Sequence, residues 1–272
     1  LAEKPLILFH QLLIETGFPN SKKLIDLMAR GFDVVGQWGC TGSFPRKLVV
    51  ATRTTQDVFR TAPVAQAACE RLGPSDPEHD DDVFRKYQEE LARGWLRGPF
   101  TLAELRDRQG PGVVPVTRFG VKQGGKYRPV DDYGVHGQND CCTMLETVDP
   151  GGIDTVVSVA TEWLRAVSPE GRVAVVGTDS GSVVSGFVHP SMRGSLELAG
   201  RTWDLSKAYK RLPAFPGHSS LSCIAVYNPN VQRVQYYEHL PLAFGGILNV
   251  LSFNWVARAP VSYTHLTLPT KA

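Results

Sequence analysis

Apolar positions recur at helical spacing through the first part of the chain. Leu6, Leu8, Phe9, Leu12 and Leu13 predict one helix, which Gly17 and Pro19 end. Ser21 is placed to cap a second, with Leu24, Ile25, Leu27 and Met28 facing inward and Gly31 closing it. Gly39 to Pro45 reads as loop. On this pattern residues 1–73 form a mostly helical N-terminal region, and residues 74–81, rich in Pro, Asp and Ser, form an acidic exposed linker. Asp82 then opens an amphipathic helix in which Phe84, Tyr87, Leu91 and Trp95 share one face.

From residue 113 the periodicity changes. Val113 to Phe119 and Lys126 to Val130 read as short extended segments around a Gly-Gly turn. A helix from Asp154 places Val156, Val157, Ala160, Trp163 and Leu164 inward and stops near Pro169. Arg172–Val176, Val183–Val188 and Leu196–Leu205 are strand-like. Ser222–Tyr227 and Val231–Tyr237 flank Asn228-Pro229-Asn230, a hairpin signal, and an apolar helix runs from Gly246 to Ala259. The mixture is α+β rather than a regular βαβ alternation.

Composition narrows the class. The chain has 272 residues, 42% hydrophobic and 21% charged, values of a globular protein rather than a disordered one. No apolar run is long enough for a membrane span, so no membrane association is expected. The chain begins at Leu1, without an initiator Met or a signal pattern, so the natural start is expected upstream. A net charge of +2 implies no nucleic-acid partner by itself. The distribution is more informative, because residues 74–92 are acidic whereas Arg118–Arg128 and Arg201–Arg211 are basic. Cys40, Cys69, Cys141, Cys142 and Cys223 lack metal-ligand spacing, and reduced thiols in an intracellular protein, cytoplasmic or nuclear, are expected.

Several residue patterns carry candidate chemistry. Asp179-Ser180-Gly181 has the look of a serine nucleophile, but His136 sits in no supporting context, so a polar turn is the better reading. Trp95, Trp163 and Trp255 have apolar neighbours at helical spacing and are assigned to the core. Tyr127 and Tyr133, in the basic hairpin, are the aromatics expected to meet nucleic acid. His189, His218 and His239 show no ligand spacing and are expected to be surface or hydrogen-bonded histidines. Asp204 ends a strand-like run, where a carboxylate suits Mg²⁺. The hairpin cations could reach a triphosphate, Arg as a fork and Lys as a point charge. The turn Leu240–Gly246 leads into the last helix, which could support a templating base.

These segments, in this order and spacing, resemble retroelement reverse transcriptases over roughly residues 115 to 260. Lys126, Arg128 and Asp132 match the family's fingers pattern. Asp204, Ala208 and Tyr209 match its first palm motif, and Leu240, Pro241, Phe244 and Gly245 match its Leu-Pro-Phe-Gly turn if Leu242-Ala243 is an insertion. The resemblance implies a partial right-hand polymerase, with fingers in 82–200 and an incomplete palm in 201–260. It implies Asp204 as the catalytic metal ligand for Mg²⁺ or Mn²⁺, and Tyr209 as the gate against a ribose 2′-hydroxyl. Lys126, Arg128, Tyr209, Phe244 and Gly245 would contact dNTP, Asp132 would be structural in the fingers, and an RNA or DNA template-primer would be the partner.

The sequence departs from the family in three places. Asn249 stands where Ser is usual, the turn carries two added residues, and no Tyr/Phe-X-Asp-Asp occurs anywhere in the chain. The expected function is therefore a fragment of an RNA-directed DNA polymerase, inactive alone. The alternative is a retroelement relic that at most binds nucleic acid. Val261 to Thr270 back-translates into a stretch resembling the transposon end and adapter of tagmentation libraries, so residues 261–272 are expected to be translated adapter.

Overall fold

The computed structural model describes residues 5–149, 153–166, 171–176, 183–187, 189 and 207–267. The strand expected at Leu196–Leu205 lies outside them, as do Asp204 and Ser180. Two compact units emerge, residues 1–148 with 206–272, and residues 149–205.

The first unit opens with α1 (Leu6–Glu15) and α2 (Ser21–Arg30), a pair that buries Leu13 from one helix and Leu24, Leu27 and Met28 from the other. Gly31 ends α2 at φ 101°, where a Cβ would come within 2.5 Å of the Ala214 carbonyl oxygen. That close approach aligns Phe32 with residues 213–215: its amide donates to Pro213 O at 2.9 Å, and its carbonyl accepts from Phe215 N at 2.8 Å.

The next stretch adds two strands to the mostly helical region expected. β1 (Gly36–Trp38) and β2 (Arg46–Val49) come before α3 (Thr55–Arg60) and α4 (Ala62–Glu70). Strands of three and four residues have too little periodicity to read from sequence. Helix α5 (Pro77–Ala92) begins inside the expected linker, with Asp76 rather than Asp82 as its cap; the Asp76 carboxylate accepts from Glu78 N at 3.0 Å. It ends at Ala92, and Gly94 (φ 68°) turns the chain, so Trp95 lies beyond the helix and is half-exposed.

β3 (Leu96–Phe100) and α6 (Leu102–Gln109) follow, the latter held by a capping box between Thr101 and Glu104. Then come β4 (Val116–Gln123), β5 (Lys126–Asp132) and β6 (Cys142–Glu146). The second unit contains α7 (Ile153–Ala166) and the antiparallel pair β7 (Arg172–Val176) and β8 (Val183–Phe187). The first unit resumes with 3-10 turns at Ala208–Arg211 and Pro216–Leu221, β9 (Ile224–Asn228), β10 (Arg233–His239) and α8 (Ile247–Thr267). That last helix runs through Pro260 into the segment expected to be adapter.

Two sheets organise the first unit, so the class is mixed α+β. One has order β1-β6-β2, with β1 parallel and β2 antiparallel to β6. The other has order β3-β10-β9-β4-β5, antiparallel except for the β9–β4 pair. Alternate residues of its strands enter two separate cores. Val116, Ile224, Val226 and Tyr237 pack with Tyr87 and Leu96, whereas Cys223, Ala225 and Tyr236 pack with Cys69 and Leu105. Full burial of each large apolar side chain is worth about 1.5–3 kcal/mol. On α8, Leu248, Leu251, Trp255 and Ala259 form the buried stripe, and Trp255 meets Trp38 edge-on at 5.7 Å. All five cysteines are free, with Cys40 exposed and the others buried. Among the described residues no helix is long and apolar enough to cross a membrane.

Candidate functional site

The β4–β5 hairpin turns on Gly124 (φ 58°) and Gly125 (φ 76°), the paired positive φ that a two-residue turn matching strand twist demands. Helix α5 covers one of its faces. Glu78 pairs with Lys122 at 3.2 Å, His79 Nε2 accepts from Gly120 N at 2.8 Å, and Asp82 accepts from Tyr127 N at 3.1 Å. Glu78 of the acidic segment thus meets Lys122 of the basic hairpin. Phe119, Val121 and Arg128 are exposed; Lys126 starts β5 opposite Gln123.

Arg118 does not face solvent, contrary to its expected place among triphosphate-binding cations. Its side chain is 1% exposed. It donates from Nε and Nη2 to Asp131 at 2.7 and 3.2 Å, and from Nη1 to Glu90 at 2.8 Å. Glu90 also pairs with Lys210 at 3.1 Å, and Lys210 Nζ donates to His239 Nε2 at 2.6 Å. Burial pushes the Glu90 carboxyl up, but the Arg118 and Lys210 charges outweigh it and hold the group below the usual carboxylate range. Burial, reinforced by the Arg118 charge, lowers Lys210. Burial and the Lys210 charge lower His239 further, so the imidazole is neutral.

His239 is therefore not at the surface, and only its Nε2 is satisfied among the described residues. It is 3% exposed, and its Nδ1 has no hydrogen-bond partner among the described residues. His218 is half-buried, with Nδ1 3.8 Å from Asp33. His136 is also half-buried, lowered by burial, with Nε2 3.9 Å from Cys69 Sγ. Tyr133, expected to meet nucleic acid, is instead 1% exposed in the core, while Tyr127 lies half-buried beneath α5.

The turn at 240–246 is built against two other segments. Ala214 N donates to Leu240 O at 2.9 Å and Leu242 N to Leu212 O at 2.8 Å, which fixes it beside residues 208–214. Asp131 N donates to Phe244 O at 2.9 Å, which fixes it to β5. Gly245 (φ 135°) is required there, because a Cβ would overlap the Asp131 carbonyl oxygen. Asn139 bridges the far side, donating to Gly245 O at 3.1 Å and accepting from Ile247 N at 2.9 Å.

The added pair Leu242-Ala243 does not bulge outward; both residues are fully buried. Asn249 Nδ2 donates to the Ala243 carbonyl at 3.0 Å. The Asn249 amide thus satisfies a carbonyl buried within the turn.

Tyr209 and Phe244 meet edge-on with centroids 5.5 Å apart, and Tyr209 also packs on Phe253 at 4.8 Å. Phe244 is 54% exposed, so the aromatic pair opens to solvent. Asp132 Oδ1 accepts from Gly134 N and Val135 N, each at 2.9 Å, which folds the loop after β5. Tyr209, Phe244, Gly245 and the end of β5 are therefore brought together. Asp204 lies outside the described residues, and among those residues no group of three or more His, Cys, Asp or Glu is arranged to hold a metal ion.

Sequence reasoning did not single out Glu90 or Lys210. Arg118 carried a usable signal: it lies two residues after Val116, on the inward side of β4, where a charge requires a partner. A cleft of about 530 Å³ beside Phe100, Glu104 and Arg233 holds none of the residues expected from sequence. No protein-family model matches the chain, and no curated protein matches it.

Proposed function

We propose that the chain is the nucleotide- and template-binding part of an RNA-directed DNA polymerase. One observation carries the reading: the Phe244 carbonyl accepts from the Asp131 amide while the Phe244 ring touches Tyr209. Segments far apart in sequence, each resembling a different reverse-transcriptase motif, converge at one place. In this reading β4 and β5 are the fingers hairpin, and the sheet strands β9 and β10 with α8 belong to the palm. Lys126 and Arg128 bind the triphosphate, and Tyr209 contacts the sugar. Asp204 is the first metal-binding carboxylate, and Mg²⁺ or Mn²⁺ supplies charge neutralisation at the phosphates. The protein acts inside the cell on a template-primer.

The test uses the chain with a labelled DNA primer on an RNA template. Fluorescence anisotropy is expected to show binding that weakens steeply with salt. In Mg²⁺, the complementary dNTP should tighten the complex and the matching rNTP should not. Equal response to both nucleotides, or no template-primer binding, sinks the proposal. A second reading, a relic that only holds nucleic acid, is favoured by the departures at the turn, where buried Leu242-Ala243 and Asn249 stand in place of the resembled pattern. Primer extension separates the two in a longer chain that carries paired aspartates. There Asp204→Asn is expected to abolish dNTP incorporation; no incorporation even before that substitution favours the relic.

A further inference from the structure

A closed circuit of contacts starts and ends at Tyr209. Its neighbour Lys210 pairs with Glu90 at 3.1 Å, Glu90 accepts from Arg118 at 2.8 Å, and Arg118 holds Asp131 at 2.7 Å. The Asp131 amide donates to Phe244 O at 2.9 Å, and the Phe244 ring returns to Tyr209 at 5.5 Å. The charged side chains are withdrawn from solvent, with exposures of 1% for Arg118, 2% for Asp131, 11% for Glu90 and 14% for Lys210.

Stability does not explain such a set. A buried ion network exchanged for well-packed apolar groups is often neutral or more stable, because desolvation offsets the Coulombic gain. What it supplies is discrimination between arrangements. A shift of α5, of the hairpin or of residues 208–214 would strand a buried charge, so few relative placements are allowed. Two positively charged and two negatively charged side chains balance, and neutral His239 accepts the remaining Lys210 proton contact.

We infer that Glu90, Arg118 and Lys210 are positioning residues that set Tyr209 and the Phe244 turn relative to the hairpin, and so set discrimination at the nucleotide sugar from within α5. This rests on the proposed reading of Tyr209 and adds that its placement is imposed by a carboxylate on another element. Glu90→Gln removes the charge with little change of shape. Arg118 then keeps Asp131, but buried Lys210 loses its carboxylate and moves with Tyr209.

The test has readouts independent of nucleotide. The chain carries 3-fluorotyrosine, and Tyr209→Phe identifies its fluorine resonance. In Glu90→Gln the Tyr209 line is expected to shift or split. Amide exchange at Asp131, Leu212 and Leu242 should accelerate about tenfold beyond the change in global stability. The preference of the template-primer complex for dATP over ATP should fall about tenfold or more. Glu89→Gln, on the outward side of α5, should do none of this, and Lys210→Arg should keep the wild-type signals. If Glu90→Gln does not fold, Lys210→Met is read the same way. An unmoved Tyr209 line, with exchange tracking global stability alone, overturns the inference. If Tyr209 moves in a chain that binds no nucleotide, positioning stands and the nucleotide reading of Tyr209 falls.

Discussion

Arg118→Met is the sharpest probe of how this site is held. The methionine fills much of the same volume but supplies no donor. Asp131, 2% exposed, loses both of its Arg118 bonds, while Glu90 keeps Lys210 at 3.1 Å. Removing one member of a buried pair costs about 3–5 kcal/mol, because the surviving charge stays desolvated and uncompensated. Against a total stability of roughly 5–15 kcal/mol this is large but leaves a folded protein. The sign with pH follows from the carboxylates. In the wild type the Glu90 carboxyl is held below its ordinary value, so its stabilisation is present above the unfolded carboxylate range and is lost as pH falls through the folded value. In the variant, Glu90 keeps Lys210 but lacks the Arg118 charge, so it has less of that stabilisation to lose as pH falls. The gap between wild type and variant should therefore narrow from pH 7 towards pH 4.

Urea unfolding followed by the fluorescence of buried Trp38 and Trp255 measures this gap. Arg118→Met/Asp131→Asn should recover most of the loss, since it removes the stranded charge. A loss under about 1 kcal/mol, or one independent of pH, would refute the account of Arg118 as the buried counter-ion of Asp131.

Gly245→Ala forces a side chain into a left-handed backbone region and against the Asp131 carbonyl. It should cost about 1–3 kcal/mol in backbone strain, with more from displacement of the Asp131–Phe244 bond, read by unfolding and by Asp131 amide exchange. Asn249→Ser leaves the Ala243 carbonyl buried without its donor and should cost about 1–3 kcal/mol; a neutral result would show that the added pair needs no compensating amide. Thr101→Ala removes the cap of α6 and should cost about 1 kcal/mol, seen as a shift in the urea midpoint at unchanged slope. On the proposed reading, Arg128→Ala, at an exposed hairpin position, should weaken the tightening of the template-primer complex by dNTP and leave binding without dNTP unchanged; an undiminished dNTP response removes Arg128 from the triphosphate site.

Local chemistry determined much of the outline. Apolar spacing and glycine stops defined α1 and α2 to within a few residues, since both act through neighbours in the chain. The Gly-Gly turn set the β4–β5 hairpin, and Asn228-Pro229-Asn230 marked the β9–β10 connection, where Asn230 N donates to Asn228 Oδ1 at 2.9 Å. The last helix was legible from its apolar stripe. The short strands β1, β2 and β3 were not, because each exists through pairing with a distant strand rather than through its own pattern. Tertiary structure alone turned Tyr133 and His239 inward, buried Leu242-Ala243 and gave Arg118 its partners. A charged or polar group enters a core only where partners from other elements meet it, and those partners, Glu90 and Lys210, carry no mark in the sequence of their own. Residue types at the candidate site could be read along the chain; their convergence on Phe244 was decided by hydrogen bonds between backbone segments that no sequence spacing encodes.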